Sequence, residues 1–84
     1  MGHRTQSRGL LDALFVRLDA AACSAAVACT RGRCDEVDRF ENEHLARVDG
    51  LFLNGGLNSP EFLRAQEYVH SWARFARLLP LIDA

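Results

Sequence analysis

The chain of 84 residues contains no lysine: its ten basic residues are all arginine. Eleven acids balance them to a net charge of −1. That balance gives no electrostatic reason to expect general binding to nucleic acid or to a membrane surface. The missing lysine has two readings. Codon usage in a GC-rich genome would produce it without selection on the protein. Selection for forked guanidinium contacts to carboxylates would also produce it.

Cysteine is scarce and odd in number: Cys23, Cys29 and Cys34. An odd count does not suit a framework of paired disulfides, so reduced thiols and a cytoplasmic location are expected. Long apolar runs are missing too. Asp12, Arg17 and Asp19 interrupt the apolar segment after Arg4 and Arg8. This argues against an export signal and against a membrane span of about 20 apolar residues. No Gly-rich phosphate loop beside a strand is evident, and no nucleophile has an evident base. Glu41 and His44 match the Glu-x-x-His spacing of di-metal bundles once, where such bundles need it twice. The chain is therefore expected to be non-enzymatic, with no cofactor.

What is present is helical. A hydrophobic share of 49% is too high for disorder, and the length suits one domain, residues 1–84. Such a domain has a marginal core, which small helical proteins often reinforce by oligomerising. Residues 10–30 read as one helix with two apolar stripes. The first is Leu11, Leu14, Leu18, Ala21, Ala25 and Cys29; the second is Ala13, Val16, Ala20, Cys23 and Val27. A surface helix needs only one such stripe. The small residues between 20 and 28 are expected to face bulky rings, such as Phe40, Trp72 or Phe75, or a symmetry mate. Ala21→Leu or Ala25→Leu should then disturb the packing.

Helices are expected at about 9–30, 35–53 and 60–79, behind a flexible segment 1–8. Ser7, Asp35 and Ser59 are the expected N-caps, with Pro60 at the first position of the third helix. Gly32 is placed to close the first helix. The second helix shows Val37, Phe40, His44, Val48, Leu51 and Phe52 on one face. The third shows Phe62, Ala65, Tyr68, Val69, Trp72, Phe75, Ala76 and Leu79, and should stop before Pro80, with a loosely packed tail. The expected fold is all-α: a compact three-helix antiparallel bundle that dimerises through helix one.

Three clusters could carry function. Cys29, Cys34 and His44 are weak candidates for a metal site, but the spacing C-x5-C-x4-C-x9-H matches no compact zinc module. His70, Arg74 and Arg77 share one side of the third helix near Glu67, flanked by Leu63 and Leu78. They could meet an anion or an acidic partner. Helices two and three are too long, and their link too long, for a DNA-binding helix-turn-helix. The leading expectation is a small protein-binding module: an adaptor, inhibitor or regulatory subunit, of a kind phages and mobile elements also encode. Its expected partner-binding residues are Ala13, Val16, Ala20, Cys23, Val27, Leu63, His70, Arg74 and Arg77, with homodimerisation. The alternatives are a metal- or thiol-redox-responsive protein and a DNA-binding regulator.

Overall fold

Two glycine turns divide the chain. Gly32 and Gly55 take positive φ angles of 87° and 80°, a conformation that other residues adopt only at a cost. At Gly32 the amide of Arg33 donates to Ala28 O at 2.9 Å and that of Gly32 to Cys29 O at 3.0 Å. At Gly55 the same pair recurs, from Gly56 to Leu51 O and from Gly55 to Phe52 O. Both are Schellman closures, which satisfy the last carbonyls of a helix.

The computed structural model describes the backbone of residues 2–83 and the side chains of residues 9–82. Between the turns lie α1 (Gly2–Thr30), α2 (Asp35–Leu53) and α3 (Ser59–Asp83). All three pairs of helices are in contact, in a body 50 × 20 × 16 Å. The architecture is the expected all-α three-helix bundle. Contacts fix the directions. Phe15 meets Tyr68, and Asp19 meets Trp72, so α1 and α3 run parallel. Arg77 reaches Asp38 while Phe52 stacks on Phe62, so α2 runs antiparallel to α3.

The ends differ from the sequence reading in informative ways. α1 begins at Gly2, ahead of the start expected near residues 7–9. The expected Ser7 cap therefore falls inside the helix, and its side chain lies outside the described residues. Asp35 is the first residue of α2, and Cys34 occupies the N-cap without a side-chain capping hydrogen bond. Asn58, not Ser59, caps α3. Its Oδ1 accepts from the Glu61 amide at 2.9 Å, and its own amide donates to Glu61 Oε1 at 2.8 Å. This reciprocal pair is a capping box. At the far end α3 continues through Pro80 to Asp83. A proline this late removes only one backbone bond, and only Leu81, Ile82 and Asp83 of the helix follow it.

The core is built from few large residues and many small ones. Leu18, Val37, Val48 and Val69 are fully buried. Ala22, Ala25, Ala26 and Ala28 of α1 and Ala65, Ala73 and Ala76 of α3 are buried with them. Of the first stripe, Leu11, Leu14, Leu18, Ala25 and Cys29 are buried, and Ala21 is half-buried. Along α1 the spacing of Phe15, Asp19, Ala22 and Ala26 defines the side turned to α3. No charged or polar residue is buried among the described residues.

Packing predicts three grades of response to urea denaturation. Leu18→Ala leaves a cavity and should cost about 2–5 kcal/mol. Ala22→Leu or Ala73→Leu forces bulk into a tight contact and should cost about 1–3 kcal/mol. Ala13→Leu, on the exposed side of α1, should change stability by less than about 0.5 kcal/mol.

Candidate interaction surfaces

The second stripe of α1 has no cover within the chain. Ala13, Val16, Ala20, Cys23 and Val27 are all exposed, Val16 at 67%. The other expected partner residues sit elsewhere. Leu63 and Arg74 are exposed on α3, and His70 and Arg77 are half-buried where α3 meets α2. The expected set therefore lies on two separate surfaces.

The side of α3 that carries His70 and Arg77 is occupied by acids of α2. Arg77 Nη2 donates to Asp38 Oδ1 at 2.6 Å and to Glu41 Oε1 at 2.9 Å. His70 Nδ1–H donates to Glu41 Oε2 at 2.8 Å. Both oxygens of Glu41 are thus engaged. Burial pushes the Glu41 carboxyl up, but the hydrogen bonds from His70 and Arg77 together outweigh it and hold the group below the usual glutamate range. Arg74 pairs along its own helix with Glu67 at 3.1 Å. The basic groups expected to meet an acidic partner are engaged by acids of the same chain, and the His70–Arg77 cluster ties α3 to α2.

A second polar tie joins α1 to α3. Asp19 Oδ1 accepts from the Tyr68 hydroxyl at 2.5 Å and from Trp72 Nε1–H at 2.9 Å. The hydrogen bond to Asp19, with burial second, raises the Tyr68 pKa. Sequence reading placed both rings on an apolar face. The signal it missed is that each ring carries a donor that seeks a partner when it leaves water.

Apolar surface extends across α3. Phe75, expected in the core, is half-exposed, and Leu78, Leu81 and Ile82 are exposed, Ile82 at 75%. Trp72 packs edge-on against Phe75, with ring centroids 5.7 Å apart. Tyr68, Ser71, Trp72 and Phe75 line a dent of about 280 Å³. The parallel register sets Cys23 and Val27 of α1 level with the stretch from Phe75 to Ile82. The tail expected to pack loosely instead extends the helix and displays its side chains.

The cysteines correct one expectation. Cys29 and Cys34 form a disulfide across the α1–α2 turn, leaving Cys23 as a free, exposed thiol. The Gly32 turn doubles the chain back so that the last turn of α1 meets the N-cap of α2. A disulfide offers no thiolate to a metal. His44 Nδ1–H donates to Phe40 O at 2.9 Å. No three His, Cys, Asp or Glu side chains among the described residues are grouped to hold a metal. No described helix is long and apolar enough to cross a membrane.

A groove of about 620 Å³ opens between α1 and α2. Ala21, Ala25 and Ala28 form its floor with Phe40, while Arg31, Arg33 and Arg39 stand near the turn. The small residues of α1 therefore meet one bulky ring here, as expected for Phe40, but leave space beside it. No family model matches the chain, and no curated protein or solved structure matches it.

Two measurements test these contacts. Glu41→Gln should lower stability by about 1 kcal/mol at neutral pH, the scale of a partly exposed ionic network. The folded state holds this carboxyl below its unfolded pKa. Its stabilisation is therefore present above the glutamate range and lost as pH falls through the folded value. The gap between wild type and variant in urea titrations should close in acid. Cys34→Ser opens the short loop from Cys29 and should cost about 2 kcal/mol under oxidising conditions. Under a thiol reductant most of that difference should disappear.

Proposed function

We propose that this chain is a small non-enzymatic protein-binding module, an adaptor, inhibitor or regulatory subunit, which pairs with a second copy of itself through α1. The observation that supports it most is uncovered apolar surface. Val16, Val27, Phe75, Leu78, Leu81 and Ile82 are all exposed. Soluble monomers rarely expose contiguous apolar patches beyond a few hundred Å², and larger ones mark interaction sites. The stripe of α1 adds Ala13, Ala20 and Cys23, whose small size lets another helix approach closely. A two-fold pairing uses the same patch on both copies, so one surplus face is enough.

The His70–Arg77 cluster and Asp19 bind within the chain, so the pairing rests on apolar contact along α1. A second reading rests on Cys29 and Cys34: a thiol-redox-responsive protein in which a dithiol reductant opens the α1–α2 tie. The cytoplasmic location expected from the cysteine count belongs to the first reading only if that pair is held reduced there.

Sedimentation equilibrium tests the pairing. The wild-type chain should form dimers in the micromolar range, about −8 kcal/mol of association free energy. Val16→Glu with Val27→Glu should restore the monomer without loss of helix, as read by circular dichroism. A wild-type chain that stays monomeric at high concentration overturns the pairing.

A further inference from the structure

We propose that the groove between α1 and α2 is a binding site for one amphiphilic anion, an acyl chain of about ten carbons ending in a carboxylate. The groove volume of about 620 Å³ falls within the roughly 300–1,000 Å³ of small-molecule sites. Its chemistry changes along its length. The end near the turn carries Arg31, Arg33 and Arg39, and the end nearer the middle of the bundle carries Ala21, Phe40 and His44. An anionic head and an apolar tail match that gradient.

The arginines are available. Arg31 and Arg33 form no ion pair among the described residues, and Arg39 approaches its only partner, Glu36, at 3.8 Å. A guanidinium presents parallel donors that suit both oxygens of a carboxylate. Two acids share the groove. Glu36 is the counter-ion of Arg39, and Glu43 stands beside His44, about two helical turns further along α2. The positive charge is thereby concentrated near the turn.

Size decides between occupants. From Ala21 to Arg31 the helix rises about 15 Å, which an extended chain of about ten to twelve carbons spans. A partner helix of that length, about 10–12 Å across, fills about two to three times the groove volume. The groove therefore takes a chain inside it, whereas a helix would stand proud of it. The site shares only Val27 with the exposed stripe of α1, so it stands or falls apart from the pairing proposed above.

Decanoate, kept below its micelle concentration, is the probe, titrated into the full chain by calorimetry and by amide chemical shifts. Saturable one-to-one binding is expected, with shifts at Ala21, Ala25, Ala28 and Phe40. Decanol should bind about tenfold weaker or less, because it lacks the charge. Arg33→Gln should weaken decanoate about tenfold, the loss of a charge-assisted hydrogen bond. Ser24→Leu fills the groove from an exposed position and should weaken both probes, with circular dichroism unchanged. If Arg33→Gln loses helix, Arg31→Gln takes its place and must show the same loss. Absence of saturable binding overturns the proposal, as does equal affinity for decanol and decanoate. Shifts confined to Phe75, Leu78 and Ile82 also overturn it, because they place the probe on the α3 face.

Discussion

Alanine on two sides of α1 governs this molecule. Toward α3, Ala22 and Ala26 are buried, and α3 contributes Ala65, Ala73 and Ala76 to the same core. Small residues let the two backbones approach, and Asp19 can then reach donors on two rings of α3 at once. Toward α2, Ala21, Ala25 and Ala28 meet Phe40 instead, and the space beside that ring is the groove. The same residue type thus closes one seam and opens the other. Which outcome follows depends on the size of the side chain opposite.

The seams also differ in charge. α2 and α3 are tied by Glu41, whose two oxygens bind His70 and Arg77. α1 and α3 are tied by an acid and two neutral donors. The bridge from Arg77 to Asp38 and Glu41 leaves from a single nitrogen. An ammonium group could make that contact as well, so nothing at this seam demands the forked shape of a guanidinium. The arginines whose shape would matter are those with no acid to bind, around the α1–α2 turn.

Much of the fold was legible because helix periodicity and glycine placement are local signals. Leu14, Leu18, Val37, Phe40, Val48 and Val69 fall where a period of 3.6 puts them, and Gly32 closes α1 as its conformational freedom suggests. Helix ends were less legible. Neighbouring polar residues compete to cap, and Asn58 wins over Ser59 because Glu61 lies three residues on to complete the box. The exposed stripe of α1 was visible as a surplus. The groove was not, because it depends on which residues of α2 lie opposite the alanines, and no periodicity within one helix records that. The disulfide was discounted because an odd count says nothing of how the turn folds.

The two closed turns carry a consequence for the speed with which this chain finds its fold. Each brings neighbouring helices together across a gap of four or five residues between Thr30 and Asp35 and between Leu53 and Ser59. Closing such short loops costs little chain entropy. The parallel α1–α3 contact joins the helices furthest apart in the chain, and both hairpins already point those two helices the same way. A topology built so largely from local contacts belongs with the helical bundles that fold in microseconds to milliseconds.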